Sequence, residues 1–487
     1  MCDEHNPIWY EAFKRKDARF DGRFFVGVKS TGVYCRPVCK ARLPRPENCT
    51  FYASAAQAEQ AGFRPCLLCR PELAPGMAPV DASANLAYKA ARKIEENCAD
   101  EASVSEIARS LGCSDRHLRR AFAAEFHVSP VQYLQTCRLL LAKNLLTSSN
   151  LSVLNTAMAA GFGSLRRFNA LFREKYHLTP SDLRRQLPAA PKQADMIRVA
   201  LGYRPPFLWE KLLTFLAQRA IAGVEVIQNN EYQRTVCLKS ADNKNVCGWI
   251  KVGHLPEKNR LTVDVSPSLL PVLPQVLSRV RAMFDLYCDP QAIYDALKTM
   301  NEVKTGFCVL GTRLPGCFNV FEMSVRTILG QQVSIKAAQT LTARFIKALG
   351  TPLQSGIDGL THIFPLPEQI TALKEPVEDV LGKLGITGMR AKAIKKLAEV
   401  LLDGSIDLTF CATPENEIKK LQALPGVGPW TAQYLVMRAL SWPDAFLDTD
   451  YGVKKALAPL TPKEIARLKE KWHPWGSYAT INLWNTL

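Results

Sequence analysis

The sequence predicts a multidomain, mainly α-helical protein, and three observations carry that expectation. At 487 residues it is too long for one hydrophobic core. Helix-period patterning broken by Gly and Pro turns dominates from Asn85 to about Arg185 and again beyond Phe318, with short alternating segments confined to the stretch between. Near the front, Cys35, Cys39, Cys66 and Cys69 form two close thiol pairs of the kind that hold one metal. The expected order is a small zinc-bound α+β domain (1–78), a helical double helix-turn-helix domain (84–187), an α+β antiparallel-sheet subdomain (197–300) and an all-α helix-hairpin-helix domain (301–487).

The net charge of +17 favours nucleic acid as partner, because lysine and arginine gain affinity by displacing counterions from phosphates. Residues 1–190 carry 27 Lys and Arg against 18 Asp and Glu, leaving 35 against 27 for the other 297, so the front of the chain is the denser cation. Fifteen cysteines are scattered over every region, and neither a signal peptide nor an apolar run of bilayer length is visible. These features lead us to expect a reduced, cytoplasmic protein.

The pairs Cys35-Arg-Pro-Val-Cys39 and Cys66-Leu-Leu-Cys69 are separated by 26 residues, a spacing that suits one tetrahedral Zn2+ site. Two disulfides are the rival reading, which a reducing compartment disfavours. Such a site supplies roughly 10–16 kcal/mol of binding free energy, enough to fold a very small domain. The run STGVYCRPVCKAR from Ser30, with FYAS at Phe51 and AGFRPCLLCRP at Ala61, closely resembles the N-terminal domain of Ada-type alkylation-response proteins. That resemblance implies that Cys35 takes a methyl group from a DNA methylphosphotriester, with Arg36, Lys40, Arg42 and Arg45 holding the phosphodiester chain. Four thiolates around Zn2+ carry a charge of about −2, so methylating one removes repulsion toward phosphates. Repair would thereby become a transcription switch.

Met77–Asp81 reads as a linker, after which Leu86–Asn97 is amphipathic and Val104–Ala108 leads through Leu111-Gly112 to Ser114. Ser114 is the expected N-cap of a recognition helix presenting Asp115, Arg116, Arg119 and Arg120. The plan recurs about 50 residues on: Ser152–Ala160, the turn Gly161-Phe162-Gly163, then Ser164 capping a helix with Leu165, Arg166, Arg167 and Asn169. Each unit closes in Ser129-Pro130 or Thr179-Pro180, and the pair is similar to AraC-type transcription regulators. DNA contacts are accordingly expected from Arg116, Arg119, Arg166 and Asn169, with RNA polymerase as the partner of an activator. Leu187–Ala194 is the second linker, and the Pro-Cys-His-Arg motif of longer Ada proteins occurs nowhere.

Ile197 to about Asp285 combines a helix (Leu208–Ala220), alternating segments (Gln233–Lys239, Val246–Val252, Leu261–Val265) and a second helix (Leu273–Leu286), which reads as a sheet backed by helices. Beyond Phe318 the pattern is helical, with breaks at Gly388, Thr413-Pro414 and Thr461-Pro462. Leu424-Pro425-Gly426-Val427-Gly428 joins two helices in a hairpin whose glycines allow close approach to a phosphate, at the positive end of the second helix. Asp450 follows 22 residues after Gly428, and a carboxylate near a DNA-gripping hairpin repels the backbone unless it has chemistry to do.

With its flanks FEMSVRTILGQQVS from Phe321 and KWHPWGSYATINLW from Lys471, this segment resembles AlkA-type 3-methyladenine DNA glycosylases of the helix-hairpin-helix superfamily, from about Ile197 onward. The resemblance implies hydrolysis of the N-glycosidic bond of alkylated purines such as 3-methyladenine and 7-methylguanine. It implies a base pocket walled by Phe215, Trp430, Tyr434 and Trp484, DNA contacts at Gly426 and Gly428, and catalysis by Asp450. The Tyr-x-x-Lys pattern after it favours Asp450 over Asp448. Strand-cutting relatives carry a lysine two residues after the hairpin's last glycine; Trp430 stands there, so a monofunctional enzyme is implied. The position that inserts an apolar wedge in such enzymes is Gln332. The rival reading is a methylation-sensing activator whose hairpin domain merely clamps DNA, but a clamp would gain from basic residues where this chain has an acid and aromatics.

Overall fold

The computed structural model describes residues 7–17, 20–52, 54–74, 86–99, 104–185, 196–409 and 414–487. Both expected linkers, and Thr413 of the Thr413-Pro414 break, lie outside the described residues. The chain forms two compact units: Met1–Pro205 with Leu238–Ser278 and Leu286–Cys288, and Pro206–Cys237 with Arg279–Asp285 and Asp289–Leu487.

In the first unit, β1 (Phe25–Val28), β2 (Val33–Cys35), β3 (Cys49–Tyr52) and β4 (Arg64–Pro65) form a sheet in the order β3-β1-β2-β4. β1 is antiparallel to both neighbours, while β4 runs parallel to β2. The helix Pro7–Lys14 covers this sheet, with Trp9 stacked on Phe24 at 5.0 Å. So little apolar volume fits the expectation that a metal helps hold the domain.

The two helix-turn-helix units follow the predicted plan. The helices Leu86–Glu96, Val104–Ser110 and Asp115–Phe126 pack around Leu118, Phe122 and Phe126; Val153–Ala159 and Leu165–Tyr176 pack around Phe168 and Phe172. Both recognition helices start as expected, since the Ser114 and Ser164 hydroxyls accept from the His117 and Arg167 amides at 3.2 Å. Both end on a histidine in the left-handed region, His127 and His177. Between the units runs a 19-residue helix, Pro130–Ser148, opened by a Ser129/Gln132 capping box.

This unit also holds β5 (Ile197–Gly202), which pairs antiparallel with a strand that itself pairs with Asn245–Leu255. The middle strand is Arg260–Val265, and β5 forms one edge. The sequence reading missed β5, whose burial is nearly continuous rather than alternating.

In the second unit the hairpin strands Glu225–Gln228 and Glu231–Lys239 pair antiparallel, the latter running on past the unit boundary. A short second pair, Thr351–Pro352 with His362–Ile363, is also antiparallel, and most of the remainder is helical. Val320–Leu329, Gly388–Leu402 and Pro429–Ala439 contribute Val325, Ile328, Ile394, Leu397, Leu435 and Val436 to one core. Beneath it, Arg234 pairs with Glu322 and Arg326 with Glu225 at 3.0 Å, all four side chains largely buried. No helix among the described residues is long and apolar enough to cross a membrane.

Candidate active site and metal centre

The hairpin is built by two local choices. Gly426 has φ +72°, the left-handed conformation that an L side chain resists, although a Cβ there would meet nothing closer than 3.6 Å. Gly428 is the N-cap of the helix Pro429–Ala439, with Pro429 in the first turn where its missing N–H costs nothing. Gln331 ties the neighbouring loop to this turn, donating to the Gly426 carbonyl at 2.9 Å and the Thr431 hydroxyl at 3.0 Å. The adjacent Gln332 is exposed and itself held at φ +52°.

Asp450 caps the helix Tyr451–Leu457: its Oδ1 accepts from the Val453 amide at 3.0 Å. The same oxygen accepts from Trp484 Nε1 at 2.8 Å, and Oδ2 accepts from Trp430 Nε1 at 3.1 Å. The carboxylate is therefore gripped by three N–H donors, which fix its orientation. Asp448 faces Lys469 at 3.2 Å instead.

Asp450, Phe215, Trp430, Tyr434 and Trp484 line one cavity of about 820 Å³, wholly within the second unit. Trp430 and Tyr434 are stacked at 5.1 Å with planes 6° apart, and Trp484 lies 6.2 Å from Tyr434 and 6.3 Å from Phe215. The structure thus brings together the four ring residues and the acid, drawn from positions 215 to 484. Phe215 is the buried member, with the Arg219 guanidinium 3.8 Å over its ring. Burial lowers the Arg219 pKa from its usual value.

Two participants escaped the sequence reading. Arg219 lines the same cavity one helical turn after Phe215, a spacing that could have flagged it. At Gly452 an added Cβ would come within 3.0 Å of both Asp450 Oδ1 and Trp484 Cδ1, so the indole reaches the acid only past a glycine.

The four cysteine sulfurs lie within 4.8 Å of one another, against the separation of about 3.8 Å that tetrahedral thiolate ligands around zinc require. Cys35, Cys39 and Cys66 are buried, and the Arg36 amide donates to Cys69 Sγ at 3.3 Å. Four soft donors at this separation fit one zinc ion. Arg36 corrects the sequence reading: only 6 % exposed, its guanidinium pairs with Asp21 and donates to the Cys69 carbonyl at 3.1 Å. This burial sets Arg36 apart from Lys40, Arg42 and Arg45, which are exposed. In the recognition helices Arg116, Arg119, Arg166 and Asn169 are all exposed, Arg119 pairing with Asp115 at 3.0 Å.

Four family models match the chain in the expected order: the metal binding domain of Ada (9–72), a helix-turn-helix domain (107–186), the AlkA N-terminal domain (198–319) and the HhH-GPD superfamily of base excision DNA repair proteins (325–471). The "probable bifunctional transcriptional activator/DNA repair enzyme AlkA" of Mycobacterium tuberculosis strain H37Rv is 35% identical over 489 residues, covering 98% of this chain and 96% of that protein. DNA-3-methyladenine glycosylase 2 of Escherichia coli K12 is 35% identical over 288 residues, 59% of this chain and 96% of its own. The bifunctional transcriptional activator/DNA repair enzyme AdaA of Bacillus subtilis 168 is 31% identical over 177 residues, 36% of this chain and 81% of its own. The chain belongs to the family of AlkA-type bifunctional transcriptional activators and DNA repair enzymes.

Proposed function

We propose that this protein repairs alkylated DNA in two ways and regulates transcription in response. Its glycosylase domain (301–487, with 197–300 as its sheet subdomain) hydrolyses the N-glycosidic bond of 3-methyladenine and 7-methylguanine. A base stacked in duplex DNA is out of reach, so the nucleotide must flip into the cavity that Trp430, Tyr434, Trp484 and Phe215 line. These alkylated purines are cationic, and each aromatic face contributes roughly 1–2 kcal/mol by cation–π attraction when desolvated. The leaving base already carries charge and needs little proton transfer. Asp450 stabilises the positive charge that grows on the sugar and orients the attacking water. Gly426 and Gly428 admit a phosphate to the hairpin, and Gln332 fills the space vacated by the flipped base. With Trp430 where a Schiff-base lysine would be, the product is an abasic site in an uncut strand.

The front domain (1–78) accepts a methyl group on Cys35. Bound zinc would keep the four sulfurs as thiolates. Cys35 Sγ attacks the methyl carbon of a methylphosphotriester, an S–C bond forms as the C–O bond breaks, and the phosphodiester anion leaves. The methylated protein then binds its operator more tightly through 84–187 and, in the cytoplasm, contacts RNA polymerase as an activator.

The observation that carries the enzyme reading is the double indole grip on Asp450, which no DNA clamp requires. Base release from duplexes carrying 7-methylguanine or 3-methyladenine tests it, comparing the unaltered chain with Asp450→Asn and Asp448→Asn. Loss in Asp450→Asn alone, with DNA binding retained, is expected. Loss in Asp448→Asn alone would move the acid by two residues, and no release by the intact chain would leave a regulator only.

A further inference from the structure

Within the first unit the regulator and the repair sheet share one helix. On Pro130–Ser148, two consecutive buried side chains point to two different partners. Lys143, 1% exposed, donates to the Cys66 carbonyl at 3.1 Å and to Glu72 at 2.7 Å. Asn144, 4% exposed, donates to the Ala200 carbonyl on the edge strand β5 at 3.1 Å. A second path joins the same ends: Arg70, next to Cys69, donates to the Ser148 hydroxyl at 3.0 Å, and that hydroxyl donates to Asn144 Oδ1 at 3.3 Å. Arg70 also holds Glu72 at 2.9 Å.

A further junction lies outside that helix. Glu95, on Leu86–Glu96, accepts from the Tyr287 hydroxyl at 2.8 Å and from the Tyr133 hydroxyl at 2.7 Å, and Arg92 lies 4.9 Å from the Tyr287 ring. Together these contacts fix β5 and Tyr287, both in the stretch matched by the AlkA N-terminal domain, to the helices of the regulator.

We propose that helix Pro130–Ser148 couples the cysteine cluster to the repair sheet, so that metal loading of Cys35, Cys39, Cys66 and Cys69 is felt as tighter docking of β5. The physical reason is the cost of an unpaired buried group. Lys143 is a buried cation whose partners, the Cys66 carbonyl and Glu72, are both set by the loop that the metal closes. When that loop opens, Lys143 loses its geometry and the turn carrying Asn144 and Ser148 loses its anchor. The Ala200 carbonyl is then left to compete for water at an exposed sheet edge. Linkage makes the effect reciprocal: a chain that cannot dock β5 holds its metal less tightly by the same factor.

The proposal rests on the metal reading, and the experiment separates the two. Zinc content of the purified intact chain is measured first, followed by amide hydrogen exchange with and without a zinc chelator. We expect one zinc per chain and, on chelation, exchange about tenfold faster in 197–202 with no change in Gly388–Leu402. In Asn144→Ala the chelator should lose most of its effect on 197–202, and zinc affinity measured by competition should fall about tenfold. Absence of bound zinc would overturn both readings. Bound zinc with unchanged exchange at 197–202, while 33–35 and 64–66 speed up, would overturn the coupling alone. An undiminished chelator effect in Asn144→Ala would do the same.

Discussion

Trp484 donates its indole N–H to Asp450 Oδ1 at 2.8 Å, while its ring forms one wall of the cavity that the carboxylate faces. One side chain thus serves both as stacking surface and as the hydrogen-bond donor that aims the acid. Trp430 repeats the arrangement from the other side, through Oδ2 at 3.1 Å.

The two roles can be separated with Trp484→Phe, which keeps an aromatic face and removes the donor. A hydrogen bond to a charged group contributes about 1.5–3 kcal/mol. Single-turnover release of 7-methylguanine should therefore slow by about 10- to 100-fold. The affinity for DNA carrying an abasic-site analogue should change less than about threefold, since no base is there to stack. An equal fall in both quantities would mean that the ring, not the N–H, is what matters.

The buried ion pair Arg36–Asp21 predicts a different phenotype from its exposed neighbours. Removing one partner of such a pair strands a charge and costs about 3–5 kcal/mol. Arg36→Ala should lower the thermal stability of the front domain and its metal retention. Lys40→Ala and Arg42→Ala should leave both unchanged while reducing the slope of log affinity against log salt by about one each. Calorimetry and salt titrations of DNA binding distinguish these outcomes; a stable, metal-replete Arg36→Ala with weakened DNA binding would restore the phosphate role.

These two cases show where the sequence was legible and where it was not. Caps and hairpin turns are local: Ser114, Ser164, Gly426 and the cysteine spacing carry their meaning within a few residues. Arg36 misled because its neighbours in sequence are metal ligands and cations, whereas its burial depends on Asp21, 15 residues upstream. Asp450 was separable from Asp448 only by motif context, because the indoles that grip Asp450 come from 20 and 34 residues away. β5 gave no alternation to read, since the regulator's helix covers an edge that a free-standing sheet would expose to water.

Glu59 makes the stability of the regulatory region pH-dependent. Burial raises its pKa from 4.5 to about 7, although the Thr136 and Tyr34 hydroxyls both donate to it at 2.9 Å. A carboxyl whose pKa is raised by folding stabilises the protein fully below its unfolded value. That contribution is lost as pH rises from about 4.5 through about 7. The unfolding midpoint of this region, followed by circular dichroism, should fall across that window. Glu59→Gln should flatten the slope, because a neutral amide has no charge to expel.

Gly428 offers the sharpest separation of fold from function in the hairpin. Its φ of −84° is open to any residue, and a Cβ built there meets no atom within 4 Å. Nothing in the protein demands glycine at this position. If a DNA phosphate approaches the amides that open the helix Pro429–Ala439, a methyl group at Gly428 would stand in its way. Gly428→Ala should therefore leave thermal stability within about 0.5 kcal/mol of the parent while weakening DNA binding about tenfold, with the salt slope reduced by about one. Gly426→Ala provides the contrast, because its φ of +72° makes the backbone itself resist a side chain. That variant should lose about 1 kcal/mol of stability along with affinity. Unchanged DNA binding in Gly428→Ala would remove the phosphate from this turn and leave the hairpin as a purely structural corner.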